Sequence, residues 1–256
     1  GVEQNAIYLL EKGDVVTIEI PDEQEHETLI PVKHPLDIVY EDEHFLIINK
    51  PSGFASIPSV LHSNTIANFV KAYYMENDYP NKQVHIVTRL DKDTSGLMLF
   101  AKHGYAHARL DKQLQSKSIE KRYLALVSGK GELEDSGEII APIARSDDSI
   151  ITRRVHPSGK YAHTSYQVVE RFGDVALVDI RLHTGRTHQI RVHFAHIGFP
   201  LLGDDMYGGR MDLGVTRQAL HCHYLRFRNP YDNKEIIQKI PLTKDFENVI
   251  IKLQKN

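Results

Sequence analysis

Three segments gather side-chain types that an ordinary surface turn does not need. The first is Thr88-Arg89-Leu90-Asp91-Lys92-Asp93-Thr94-Ser95-Gly96, with two carboxylates, an arginine and several hydroxyls between β-rich runs. An acid on such a loop can be aimed into a cleft while flanking strands fix its position. Residue types alone equally allow a solvated turn in which Asp91 or Asp93 caps neighbouring backbone. The second segment, Leu182 to His196, passes through Gly185 into a helix start carrying Arg186, His188 and Arg191. Free amides with basic side chains around them suit an anion such as phosphate. With Ile190, Phe194 and Ile197 facing the core, Arg191 is expected towards the helix flank. The histidines have no carboxylate or cysteine at a recognised ligand spacing, so they read as structural or phosphate-facing and no metal is expected. The third segment, Lys121-Arg122-Tyr123-Leu124-Ala125-Leu126-Val127-Ser128-Gly129, alternates as a strand, and Tyr123 taken alone reads as core.

The elements that must position these segments are short. Ile38–Tyr40 and Phe45–Lys50 suggest a hairpin around Glu41-Asp42-Glu43, ending at Pro51-Ser52-Gly53. Thr65 is placed to cap a helix whose apolar face is Ile66, Phe69, Val70 and Tyr73. Strands are expected at 84–89 and 96–102, a helix at 104–116, and further strands at 121–128, 138–145, 162–171, 174–183 and 222–228. A last helix should run from an N-cap at Thr187 to about Ile197, stopped by Gly198 and Pro200. Strands dominate without regular βαβ alternation. The expected class is therefore α+β, a mixed, mostly antiparallel sheet with flanking helices.

Near the start, Gly13-Asp14 reads as a turn before a strand containing Val15, Val16, Ile18 and Ile20, and the acidic run 21–27 reads as a linker. The expected division is a leading unit over 1–30 and a main domain over 31–256.

A composition of 41% apolar and 25% charged residues supports an ordered, cored protein rather than a disordered one. No apolar run approaches the roughly 20 residues that span a bilayer, so no membrane association is expected. The single Cys222 excludes an internal disulfide and a cysteine-rich zinc site, and a cytoplasmic monomer is the expectation. Net charge is only −3, but it is unevenly spread. Residues 1–50 hold twelve acidic and three basic side chains; residues 89–123 hold eight basic and four acidic; residues 181–228 hold seven arginines and three aspartates. The two basic segments could face a polyanion together, although solvated surface explains charge of this kind equally well.

Taken in order, these segments resemble the RluA-type pseudouridine synthases. The hallmark loop Arg-Leu-Asp-x-x-Thr-Ser-Gly is matched at Arg89–Gly96, Lys-x-Tyr-x-Ala-x-Val-x-Gly at Lys121–Gly129, and Thr-Gly-Arg-Thr-His-Gln-Ile-Arg-Val-His at Thr184–His193. Asn49-Lys50-Pro51-Ser52-Gly53 resembles the first family motif. Leu202-Gly203-Asp204 with Tyr207-Gly208, and Arg217-Gln218-Ala219-Leu220-His221, resemble later ones. The resemblance covers about residues 36–242. One departure is Thr88, where the family usually carries histidine; it is expected to alter how the loop is held. The first residues are similar to the closing strand of an S4-like RNA-binding module.

The resemblance implies an RNA-modifying isomerase that converts uridine to pseudouridine in structured RNA, without cofactor or metal. Its substrate would be ribosomal large-subunit (23S) RNA, with transfer RNA as the alternative. Asp91 would be the catalytic carboxylate, attacking sugar or base or removing a sugar proton. Arg191 would be its ion-pair partner. Tyr123 would stack on the base and assist proton removal at C5, and Arg89 would fill the space left by the extruded nucleotide. Lys50, Arg186 and His188 would contact phosphates. The competing classes are a non-catalytic RNA-binding or ribosome-assembly protein, which would show no turnover, and a glycosidic hydrolase, which would release free uracil.

Overall fold

The computed structural model describes residues 2, 5, 7–17, 23, 28–60, 62–147 and 149–255. Its elements are β1 (Ile38–Glu41), β2 (Phe45–Lys50), α1 (Ile66–Glu76), β3 (His85–Ile86), β4 (Ser95–Ala101), α2 (Gly104–Gln115), β5 (Glu120–Ser128), β6 (Ser136–Ile140), β7 (Ile143–Arg145), β8 (Arg153–Val155), β9 (His163–Phe172), β10 (Val175–Leu182), α3 (Gln189–His196), β11 (Leu220–Arg228), β12 (Glu235–Lys239) and α4 (Lys244–Leu253).

One sheet runs β1-β2-β4-β11-β5-β10-β9-β6, with β3 added to β4 and β12 to β11. Among the described residues every neighbouring pair is antiparallel except β4 and β11, which run parallel through His221 opposite Ser95 and Cys222 opposite Gly96. This is the mixed, mostly antiparallel α+β architecture that the strand pattern implies. The parallel join brings the 89–96 loop beside the strands of the second half. It also demands glycine at 96: φ is +118°, and a Cβ there would lie 2.3 Å from the Cys222 carbonyl oxygen.

Strand alternation splits the core across the two faces of the sheet. Leu46, Ile48, Met98 and Phe100 pack beneath α1, whose Ile66, Phe69, Val70 and Tyr74 face them. Phe45, Ile47, Leu97, Leu99, Tyr123, Val178, Ile180 and Phe194 fill the opposite side. Tyr74, not Tyr73, is the fully buried tyrosine of α1, while Tyr73 turns its hydroxyl to Glu41. Thr65 does precede α1, its N–H and hydroxyl both donating to the Asn68 side-chain oxygen.

Several expectations need correction. The strand expected over 84–89 is only β3, because the chain turns into the loop that carries Asp91. The strand expected over 138–145 breaks at Ala141-Pro142, where proline supplies no donor, into β6 and β7. β8, β12 and α4 were not foreseen; α4 docks Phe246 and Val249 against Leu126 and Val215. Glu11 and Asp14 close the expected turn around Gly13 (Asp14 N–H to Glu11 O, 3.1 Å). Val15 and Val16 are exposed and in no strand, and Ile18 and Ile20 lie outside the described residues. Within the acidic run, Glu23 is not a free linker residue: its N–H donates to Asn81 at 3.0 Å, and its carboxylate meets His85 at 2.6 Å. No helix among the described residues is long and apolar enough to cross a membrane.

Candidate active site

The loop between β3 and β4 carries Asp91 and is held from below by backbone contacts rather than by its own sequence. Lys50 Nζ donates to the carbonyls of Pro51, Lys92 and Thr94, each at 2.8 Å. The Gly53 N–H donates to Lys92 O at 3.0 Å. Ser56 Oγ donates to Leu90 O at 2.7 Å and accepts from Leu90 N at 3.2 Å. From the far side, Arg217 Nη1 donates to Asp93 O at 3.0 Å. Thr88 is buried, and its hydroxyl accepts the Leu99 N–H at 3.0 Å, so this short side chain ties the loop's entry to β4.

Lys50 therefore cannot serve as the expected phosphate contact. It is fully buried, and its three hydrogen bonds go to backbone carbonyls, two of them in the loop. Burial pushes its ammonium down to about 7, while Asp93 and Asp91 favour the charged form.

Arg191 also departs from expectation, since it is buried at 5% exposure rather than set on a helix flank. α3 starts one residue later than expected, with His188 as its N-cap in the left-handed region at φ 56°. Ile190 and Phe194 face the core as expected, but Arg191, Val192 and His193 are buried too, so α3 has no open flank here and Arg191 lines the cleft from within. Its guanidinium is gripped by Asp204, with Nε to Oδ2 at 2.6 Å and Nη2 to Oδ1 at 2.8 Å. This leaves Nη1 facing Asp91 Oδ2 at 3.7 Å. The Tyr207 ring lies 5.0 Å from the guanidinium carbon. Burial works against this charge, but the Asp204 hydrogen bonds, with Asp204 and Asp91 nearby, hold the guanidinium above its ordinary value. The family-expected partner of Asp91 is thus present, but it is shared between two carboxylates.

His188 closes the other side of Asp91, with Nε2 4.0 Å from Oδ2 and Nδ1 2.8 Å from the Tyr207 hydroxyl. Burial lowers its pKa in spite of the Asp91 charge, which keeps the ring neutral near pH 7. Tyr123 is buried on β5, opposite Ile180 and Cys222. Burial first, then Cys222 and Asp91 nearby, raise its phenol well above the usual value. The ring is a neutral platform.

Asp91, Tyr123, Arg191, His188, Arg89 and Arg186 all line one cleft of about 470 Å³. Arg89 is exposed at its edge, and Arg186 is exposed with Nε donating to Tyr161 O at 2.9 Å. Of the seven residues singled out from sequence, only Lys50 lies outside this lining. His193 is structural, buried and bridging Thr164 Oγ1 and Ala141 O at 2.9 Å each. Three participants had no expected role. Asp204 and Tyr207 stood in a recognised motif, but nothing local announces that this acid is buried. Lys121 lines the cleft below Tyr123, its ammonium lowered by burial and by Arg89. Gly203 makes the Asp204 turn possible, because its φ of +72° sets its backbone against Arg217 O.

A partly exposed carboxylate, a buried cation and a buried aromatic thus share one cleft on a mixed, mostly antiparallel α+β sheet. Residues 44–196 match the family of RNA pseudouridylate synthases. The chain belongs to that family and is a pseudouridine synthase of the RluA type. It is 44% identical over 246 residues to the RNA pseudouridine synthase YjbO of Bacillus subtilis, covering 95% of this chain and 85% of that protein. It is 38% identical over 279 residues to ribosomal large subunit pseudouridine synthase D of Pasteurella multocida, covering 97% and 83%. Among solved structures, human RNA pseudouridylate synthase domain containing 4 shares the fold with a TM-score of 0.71 at 22% identity, over 85% of this chain and 93% of that one.

Proposed function

We propose that this enzyme isomerises specific uridines of ribosomal large-subunit RNA, with Asp91 as its catalytic carboxylate acting on a nucleotide turned out of the RNA stack. The observation that carries the reading is the convergence of Asp91, Arg191 and Tyr123 on a single cleft, with the guanidinium 3.7 Å from the carboxylate. A carboxylate that works at neutral pH must remain ionised as substrate excludes water, and an adjacent cation favours that form. A uracil inside a duplex cannot reach Asp91, so the base must be extruded; a cleft of about 470 Å³ falls within the size range of small-ligand sites. The neutral Tyr123 ring suits stacking on that base. Arg89, exposed at the edge, suits the space the base vacates. Arg186 is free on one side for a phosphate. The relatives named as ribosomal large-subunit synthases favour that RNA over transfer RNA, and with such a substrate the enzyme acts in the cytoplasm.

The test is tritium release from RNA carrying 5-tritiated uridine, using large-subunit rRNA and transfer RNA transcripts in parallel. Wild type should release tritium from the former without freeing uracil, and Asp91→Asn should fall by about 10⁴-fold or more while remaining folded. Turnover retained in Asp91→Asn refutes the role of Asp91; free uracil indicates a hydrolase.

A further inference from the structure

A second cleft, of about 530 Å³, lies on the α2 side of the sheet and has no part in the chemistry above. It draws Arg109, Lys112 and Lys117 from one basic segment of the sequence and Arg181, Arg226 and Arg228 from the other. Two carboxylates sit among them. Glu120 takes Arg226 at 2.8 Å and Arg181 at 3.8 Å, and Glu235 takes Arg226 at 3.3 Å. Among the described residues, no carboxylate lies within 4.0 Å of Arg109, Lys112, Lys117 or Arg228. Lys112 lies in the last turn of α2, at its negative end; Arg109 donates to Pro230 O at 3.4 Å and Lys117 sits 5.9 Å from the Tyr161 ring centre, contacts that leave each without a counter-charge. Gln113 pins the arrangement, with Nε2 donating to Arg228 O at 2.6 Å and Oε1 accepting the Arg228 N–H at 3.0 Å.

The two clefts share their walls residue by residue. Leu114, Lys121 and Leu182 line the catalytic cleft, while their chain neighbours Gln113, Glu120 and Arg181 line the basic one. Glu120 and Lys121 open β5 and Arg181 and Leu182 close β10, so the two clefts flank the same end of these strands, on opposite faces. Cations without a counter-charge, in a groove at the same strand ends as a nucleotide site, suit a phosphodiester backbone leading away from that site.

We infer that this groove is a second RNA-binding site, which holds the backbone flanking the target nucleotide. The inference rests on the proposed RNA substrate. It is tested by filter binding of a labelled large-subunit rRNA transcript across a salt series, a measurement that needs no turnover. Lys112→Ala/Lys117→Ala/Arg228→Ala should flatten the slope of log affinity against log salt by about 2 and weaken binding about tenfold or more at moderate salt. Charge-keeping replacements (Lys112→Arg, Lys117→Arg, Arg228→Lys) should restore the slope. Lys130→Ala/Lys252→Ala/Lys255→Ala, which removes the same charge elsewhere on the surface, should change it less. In tritium release, the groove variant should raise KM and leave kcat unchanged. Slope and KM equal to those of the Lys130/Lys252/Lys255 control overturn the inference even when wild type turns over. A wild type that binds RNA through this groove but releases no tritium overturns the synthase chemistry instead.

Discussion

Arg191 lies between two carboxylates, and a double-mutant cycle on them tests whether the guanidinium is shared. At 3.7 Å and an effective dielectric of about 20, the attraction between Arg191 and Asp91 is about 4–5 kcal/mol before desolvation is subtracted. Asp91 is 28% exposed, and Asp204 neutralises the same cation. Solvation and repulsion between the acids offset most of that attraction, so Asp91→Asn alone should change stability by less than about 1 kcal/mol. Asp204 is fully buried with two charge-assisted bonds, at 2.6 and 2.8 Å. Asp204→Asn turns an amide N–H₂ against the guanidinium and should cost about 3 kcal/mol, a Tm fall of about 6–12 °C for a chain of this size. With Asp91 still present, however, the cation keeps one counter-charge. In Asp91→Asn/Asp204→Asn it has none within contact among the described residues. The double variant should therefore exceed the sum of the singles by about 1.5–2 kcal/mol. Urea unfolding followed by far-UV circular dichroism measures this, the chain having no tryptophan to report by fluorescence. Additivity within about 0.5 kcal/mol would refute the shared guanidinium.

Lys50→Met should cost about 3 kcal/mol, because it strands three carbonyl acceptors, and should lower kcat by loosening the Asp91 loop. RNA affinity and its salt slope should stay at wild-type values; a slope lowered by about 0.7–0.9 would instead return Lys50 to phosphate binding. Asp179 is mostly buried, and its carboxyl is held below 3.8: burial opposes the charge, but the His223 and Arg122 contacts outweigh it. A carboxyl lowered in the folded state stabilises fully above its unfolded value and loses that contribution as pH falls through the folded one. Asp179→Asn should thus destabilise by about 1–2 kcal/mol at pH 7, and the gap to wild type should narrow as pH drops below about 4. A gap that is flat from pH 7 to pH 3 in denaturant titrations would contradict this.

The sequence by itself determined what depends on near neighbours along the chain. The short apolar run in Phe45–Lys50 and the alternation in Lys121–Ser128 mark strands, and the spacing of Ile66, Phe69 and Val70 marks a helix, because those patterns are local. The Asp91 loop, the Gly185 turn and the Tyr123 strand were legible for the same reason, and their order along the chain pointed to the family. What only the tertiary structure decided depends on contacts between residues far apart. Lys50 reads as a free cation until the loop 42–44 residues later folds over it and takes two of its hydrogen bonds, the third going to Pro51 O. Arg191 reads as a flank residue until the turn carrying Asp204, 13 residues later, packs over it and takes its guanidinium. The basic groove is two separate charge excesses in the sequence. It becomes one surface because β11 lies between β4 and β5, setting Arg226 and Arg228 beside the end of α2. Burial and counter-charge are properties of three-dimensional neighbours, and no local spacing encodes them.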